Sequence, residues 1–407
     1  MGVSHTGDNQ HTLEKLRRKA QLEIQGSYST AERMCRLVLH QKEDLHGHEH
    51  PDIIACMGSL ACVQEKQGRY KAAEQTLQQT LRLSQKVLGP KHPVTFASID
   101  RFARILEKQG RYKSAERIGQ LALELRAKSL GSEHPDTLRS METMASVFER
   151  QERYIEAERM GTRVLELRQK NLGPDHPDTL VSMNGHAWVL GKLGRLIEAE
   201  KMGIQALRFR QELLGDEHPS TLESMGQVAS ILFFQGRYIE SEEMARQTME
   251  LKQKVLGPEH PLTLNSVYNL AVTLAQQSRY VEAEEMYRRA LELRQKVLGL
   301  EHPSTLDTKS NLAATLTEQS KYIEAEEVYR QVLEFRRKAL GLEHPSTLNT
   351  INNLAFTLGK QGRFIEAEEK YKQSLELGQK IHGAEHPFTL ACIRSLSFVH
   401  GVLRSSR

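Results

Sequence analysis

Cysteine is scarce in this chain, and the four present, Cys35, Cys56, Cys62 and Cys392, lack the paired spacing of a zinc or redox site. Their number and scatter point to a reducing compartment and a cytoplasmic protein. No apolar run approaches a membrane span, and the polar start has no apolar core of a signal peptide. Charge of one sign is also missing: 56 basic against 52 acidic side chains leave a net +4, which gives no case for a nucleic-acid partner. The chain has no Gly-x4-Gly-Lys-Ser/Thr phosphate loop, no Gly-x-Ser-x-Gly and no His-Glu-x2-His. The sequence therefore offers no catalytic constellation, no cofactor motif and no metal motif, and reads as a protein that is not an enzyme. Proline is absent from every segment with helical periodicity, since all 12 prolines sit in one recurring loop.

That loop is the dominant feature. His-Pro recurs at 50–51, 92–93, 134–135, 176–177, 218–219, 260–261, 302–303, 344–345 and 386–387, always 42 residues apart. A fixed step without insertions is the mark of an open repeat array, because a globular enzyme needs different lengths of chain at different places.

Each unit reads as two helices. In the unit 298–339, Leu306, Leu312, Ala313 and Leu316 fall on one face of a first helix, and Ile323, Val328, Val332 and Phe335 mark the inner face of a second. The connection Ser320-Lys321-Tyr322 is Gly-Arg-Tyr at 68–70, 110–112 and 236–238, where glycine suits a helix end that requires positive φ. Glu326 with Arg330 and Glu334 with Lys338 stand at i,i+4 on the second helix. Proline is favoured at the first helical position, so Pro303 opens the next first helix with His302 at its cap. An acidic residue precedes the histidine in eight of the nine loops, Lys91 being the exception.

Val267, Leu270-Ala271, Leu274, Ala283, Tyr287 and Ala290 carry a specific resemblance. Their spacing resembles the tetratricopeptide signature, large–x2–Leu–small–x2–large followed by Ala–x3–aromatic. The small residue recurs as Ala61, Ala103, Ala145, Ala187, Ala229, Ala271, Ala313 and Ala355 in first helices. In second helices it recurs as Ala31, Ala73, Ala115, Ala157, Ala199, Ser241, Ala283, Ala325 and Ala367. The 42-residue unit, with ALELRQKVLG, the acidic-His-Pro loop and NLA, is similar to the repeats of kinesin light chains. It is equally similar to the arrays at the C-terminal end of fungal and bacterial NTPase switch proteins of the STAND/NLR type. The resemblance implies an all-α solenoid of helix-turn-helix repeats forming a superhelix. Two departures stand out: Gln295 and its equivalents replace the signature's final proline, and Gly119, Gly161 and Gly203 replace the second-helix aromatic. Looser packing is expected in those three units.

In chain order, residues 1–10 read as a flexible start and 11–50 as a degenerate first repeat. Residues 51–386 read as eight tandem units, and 387–407 as a terminal capping helix and tail. HTLEKLRRKAQLEIQ, 11–25, is helical in pattern but sits one residue out of register with later first helices. Met1-Gly2-Val3-Ser4-His5-Thr6 fits a short N-myristoylation pattern at Gly2, with Lys15, Arg17, Arg18 and Lys19 as a basic second signal.

Nine histidines, each beside a charged residue, invite a metal reading, yet one histidine and one carboxylate per loop is too few ligands for zinc. Capping is the simpler role. The resemblance directs attention instead to the concave face lined by first helices. Asn269, Asn311 and Asn353 precede the Leu-Ala pair, where related arrays use asparagine to hold the backbone of an extended peptide. A solvated polar face explains them equally well. A basic ladder, Lys66, Lys108, Arg150 and Lys192, lies near the first-helix ends, with Arg104 and Trp188 beside it. This suits an acidic peptide with a bulky side chain, although Glu65, Glu107 and Glu149 directly precede the ladder and leave a merely solvated surface open. The function expected is a protein-interaction scaffold that binds extended peptide segments of partner proteins. The competing reading is a ligand-sensing array of, or a fragment from, an NTPase switch protein.

Overall fold

The computed structural model describes residues 28–405, which form 18 helices and, among the described residues, no strand. In order they are α1 Tyr28–His46, α2 Pro51–Lys66, α3 Tyr70–Val87, α4 Pro93–Lys108, α5 Tyr112–Leu130, α6 Pro135–Arg150, α7 Tyr154–Leu172, α8 Pro177–Lys192, α9 Leu196–Leu214, α10 Pro219–Phe234, α11 Tyr238–Leu256, α12 Pro261–Gln276, α13 Tyr280–Leu298, α14 Pro303–Glu318, α15 Tyr322–Ala339, α16 Pro345–Lys360, α17 Phe364–His382 and α18 Pro387–Ser405. Even-numbered helices are the first of each pair and odd-numbered the second. The patterned segment 11–25 and Gly2 lie outside the described residues. Two compact units divide between Ser266 and Val267, inside α12. Within each unit, helices pack on their chain neighbours, and first helices of successive pairs also touch: α4 on α6 and α8 on α10, then α14 on α16 and α16 on α18.

Local chemistry sets every boundary. At each first-helix start the histidine Nδ1 accepts the backbone N–H two residues on, as His50 does from Asp52 at 3.2 Å and His302 from Ser304 at 3.1 Å, and all nine loops do the same. This satisfies one of the otherwise unpaired donors of the first turn while proline removes another. The threonine of His-Pro-x-Thr closes the loop, as Thr137 Oγ1 donates to the Gly131 carbonyl at 2.8 Å and Thr347 to that of Gly341 at 2.9 Å. The acidic residue before the histidine serves the neighbouring second helix: Lys380 reaches Glu343 at 2.6 Å and Lys338 reaches Glu301 at 3.5 Å.

The turn inside each pair requires a left-handed residue. Gly68, Gly110, Gly194, Gly236 and Gly362 have φ between 72° and 80°, and Glu152, Ser278 and Ser320 take the same conformation, at 59–62°, without being glycine. Small residues then allow close approach, since Ala73, Ala115, Ala157, Ala199, Ala283, Ala325 and Ala367 are fully buried. Ser241, in the same register, donates its hydroxyl to the Ala229 carbonyl of the paired helix at 2.8 Å.

Leu306, Leu312, Ala313 and Leu316 form the buried face of α14, as periodicity requires. The second helix corrects the reading. Ile323 is 72% exposed, and the buried face of α15 is Ala325, Tyr329, Val332 and Arg336. The register of Ile323 is exposed again at Ile155, Ile197, Ile239, Val281 and Ile365, so an apolar residue in the first turn of these helices does not mark the core. Arg330 pairs with Glu326 at 2.7 Å as the spacing implies.

The expected looseness at Gly119, Gly161 and Gly203 is also corrected. A Cβ at Gly119 would lie 2.5 Å from Met144 Sδ, one at Gly161 2.9 Å from His186 Nδ1, and one at Gly203 3.1 Å from Ile231 Cδ1. The following first helix fills the space that the aromatic takes elsewhere, so the volume is conserved across the pair.

Candidate peptide-binding face

The first helices present their polar side chains on the face where successive first helices meet. The asparagines lie in the second unit. Asn269 is exposed, whereas Asn311 and Asn353 are half-buried. Asn311 Nδ2 donates to the Tyr268 hydroxyl at 2.6 Å, and Asn353 hydrogen-bonds the Tyr329 hydroxyl. Burial pushes the phenols of Tyr287 and Tyr329 far above their usual range, against the asparagine hydrogen bonds that pull them down, so both rings remain neutral. Two of the three amides are thus fixed in orientation by their own core.

The basic and aromatic residues lie in the first unit, and their charges are largely matched. Arg104 binds Glu65 through two nitrogens, at 2.8 and 2.9 Å. Lys108 stands 3.7 Å from Glu107, whose other partners are Arg150 Nε at 3.3 Å and Ser146 Oγ at 3.1 Å. Trp188 Nε1 donates to Glu149 at 2.8 Å. The acids that precede the basic ladder therefore hold the residue of the same register in the next repeat. Lys66 lies on the Tyr28 ring at 6.0 Å. Lys192 is set differently, its ammonium 4.6 Å from the Trp188 ring and 4.4 Å from the Phe234 ring. Phe356 with Lys360, 5.2 Å apart, repeats this aromatic–ammonium pair in the second unit.

Sequence reasoning missed the buried cations of the second helices. Arg126, Arg168, Arg210, Lys252, Arg294 and Arg336 are at least nine-tenths buried. Arg336 Nη1 donates to the Ser346 carbonyl at 2.9 Å and to Thr350 Oγ1 at 2.7 Å, tying one repeat to the loop of the next. The signal was present, because one register of the 42-residue step holds Arg126, Arg168, Arg210, Lys252, Arg294 and Arg336 in six successive second helices. Among the described residues, no group of three His, Cys, Asp or Glu side chains is placed to hold a metal, and no helix is long and apolar enough to cross a membrane.

Helix pairs stacked at a constant step, with small residues where they cross, define an α-solenoid, an architecture in which each pair buries its apolar face only against its neighbours. The chain belongs to the tetratricopeptide repeat family, whose model matches residues 12–86, 66–126, 95–170, 142–212, 189–254, 224–296, 264–338 and 346–401. An array of this family is a protein-interaction scaffold. Among solved structures, one named as a kinesin light chain of nearly identical repeats, from Podospora anserina, is 27% identical over 51% of this chain and 98% of its own, with a TM-score of 0.43. BtubC (BKLC) from P. vanneervenii is 18% identical over 58% of this chain and 92% of its own, with a TM-score of 0.43. The Rap protein complexed with competence and sporulation factor is 14% identical, covers 98% of this chain and 100% of its own, and has a TM-score of 0.53, a likeness of fold. A comparison with curated proteins finds no match.

Proposed function

We propose that the first-helix face binds an extended peptide segment of a partner protein. The observation that carries this is a stripe on one helix: Asn353, Phe356 and Lys360 stand at i, i+3 and i+7 of α16, so an amide, an aromatic ring and an ammonium share one side. The amide is anchored by Tyr329, Phe356 is 42% exposed, and Lys360 reaches over the ring. An amide that can donate and accept suits a peptide backbone, and a half-exposed ring under a cation suits a bulky side chain flanked by an acid. In the first unit, Trp188, Phe234 and Lys192 offer the ring-and-ammonium part of this combination.

The test is affinity capture from the source cell with peptide mapping, followed by titration of the mapped peptide. Replacing Asn269, Asn311 and Asn353 together by alanine is expected to weaken binding equally at low and high salt, since no charge is lost. Unchanged affinity in a variant of native helicity would remove this face as the site. Capture of a nucleotide-binding switch domain in place of peptide-bearing partners would favour a sensor array.

A further inference from the structure

The buried cations of the first unit follow a rule that fails at two consecutive positions. Arg126 Nη1 pairs with Asp100, 26 residues earlier on a first helix, and also bonds Ser140 Oγ and the Asp136 carbonyl. One repeat on, Arg168 pairs with Glu142, again 26 residues earlier, through two nitrogens at 2.6 and 2.9 Å, and bonds Ser182 Oγ at 2.7 Å. Arg210 keeps the structural half of this arrangement, bonding the Ser220 carbonyl at 2.8 Å and Ser224 Oγ at 2.9 Å. Its acid is gone. The equivalent residue is Asn184, whose Nδ2 donates to Ser224 Oγ at 3.1 Å and whose Oδ1 is buried without a partner.

At the next repeat the loss is complete. The Lys252 side chain is 94% buried, at 6% exposure, and burial is the main influence on its ammonium, with Glu223 as the one acid acting on it. The first-helix residue 26 positions earlier is Gly226, and a Cβ built there would lie 3.9 Å from Lys252 Nζ. Glycine thus stands where Asp100 and Glu142 carry their carboxylates, and a side chain there would meet Thr248 and the Lys252 ammonium. Burial lowers the affinity of both Arg210 and Lys252 for their protons, and the one carboxylate acting on them is the exposed Glu223. A buried cation without a counter-ion is costly, and arginine does not escape by deprotonating.

We infer that the position beside Gly226, with Lys252 as its cation, is a carboxylate-binding site. The ligand supplies the group that Asp100 and Glu142 supply in the preceding repeats. Its source is an aspartate or glutamate of a bound segment or a free dicarboxylic acid. The site is independent of the asparagines of the second unit, so the triple alanine variant at Asn269, Asn311 and Asn353 leaves it intact.

The experiment measures thermal stabilisation and calorimetric binding by glutarate, and by an acidic octapeptide, against sodium chloride of equal ionic strength. Saturable stabilisation beyond that of chloride is expected. Lys252→Met is expected to weaken it at least about tenfold, and Gly226→Glu, which provides the carboxylate within the chain, to raise the melting midpoint of the free protein and abolish the response. If Lys252→Met does not fold, Gly226→Glu decides alone. Response to the octapeptide but not to glutarate assigns the site to a partner's acidic residue, and response to both assigns it to free dicarboxylates as well. No stabilisation beyond chloride, or an undiminished response in Gly226→Glu, overturns the inference.

Discussion

Arg363 Nη1 lies 2.6 Å from Glu326 Oε2, joining the turn of one repeat to the second helix of the repeat 37 residues before it. The same carboxylate accepts from Gln361 Nε2 at 2.9 Å and from Arg330 Nε at 2.9 Å. Arg111 with Glu74, Arg153 with Glu116, Arg237 with Glu200 and Lys321 with Glu284 repeat the contact at 2.7–2.8 Å. It works as a clamp that sets one repeat on the next.

The clamp is asymmetric, and that gives the first prediction. Glu326 is buried and serves three donors, whereas the Arg363 side chain is 37% exposed. Removing the acid strands several donors, and Glu326→Ala is expected to cost about 1–3 kcal/mol. Arg363→Ala leaves the acid two partners and is expected to cost less than the glutamate variant does, because the arginine is solvent-exposed. Urea denaturation of both variants checks this, and equal losses would contradict the asymmetry.

Two groups give the array separate acid sensitivities. Burial holds the His186 imidazole below its ordinary 6.5, opposed by the attraction of Glu158. The native state keeps this ring neutral while the unfolded chain protonates it, so its contribution is present above pH 6.5 and is lost as pH falls below that value. Glu284 behaves as a paired carboxylate: burial pushes it up, but hydrogen bonds from Lys321, Arg288 and Gln319 outweigh this and bring it from 4.5 to about 2. Its contribution is present above pH 4.5 and is lost as pH falls through about 2. Melting midpoints followed from pH 8 to pH 2 are expected to decline in both windows. His186→Leu, which copies the leucine of this register at Leu270, should flatten the upper one alone, and an unchanged profile in that variant would refute the assignment.

Much of this architecture was legible in the chain because it is local. Pro303 next to His302 announces a cap, and the glycine register of Gly236 announces a left-handed turn, since each is settled within a few residues. What stayed hidden depends on contacts 25 to 43 residues apart. Nothing beside Gly161 tells that His186 will fill its space, and Ile323 reads as core because a periodicity argument does not know where the neighbouring repeat ends. The candidate site was legible in the same uneven way. Asn311 and Trp188 could be placed on a first helix, but not the Tyr268 and Glu149 that fix them.

The turn register offers a stabilising change. Ser320 and Ser278 occupy the left-handed region with φ of 62° and 60°, and Glu152 with 59°, where the Cβ of an ordinary residue meets its own carbonyl. Ser320→Gly relieves this at the cost of added freedom in the unfolded chain, for a net gain of about 0.5–1 kcal/mol. Ser320→Val, branched at Cβ, should lose more than about 1 kcal/mol at the same site. Thermal melting of the pair tests the sign, and a loss in the glycine variant would show that the Tyr322 hydroxyl, which donates to Ser320 Oγ at 3.1 Å, matters more than the backbone.

The most demanding prediction concerns modularity, and the contacts allow it to be argued residue by residue. Deleting residues 303–344 removes one 42-residue step and joins His302 to Pro345, restoring the sequence His-Pro-Ser-Thr-Leu. His302, whose Nδ1 now accepts from Ser304, meets Ser346 in its place, and the Gly299 carbonyl, now bonded by Thr305, meets Thr347. Arg294, which binds the Ser304 carbonyl and Thr308 Oγ1, finds the Ser346 carbonyl and Thr350 Oγ1, the pair that Arg336 holds in the intact chain. Glu284, clamped by Gln319 and Lys321, receives Gln361 and Arg363. Each of these bonds is replaced by one of the same chemistry, so the shortened chain should keep its helicity per residue and unfold cooperatively. Deleting only 303–323 removes α14 and its turn, sets two second helices in succession and leaves Arg294 without its carbonyl and hydroxyl partners. Circular dichroism and thermal melting of the two deletions are expected to separate them clearly, and equal disruption would mean that stability is not carried by contacts between neighbouring repeats.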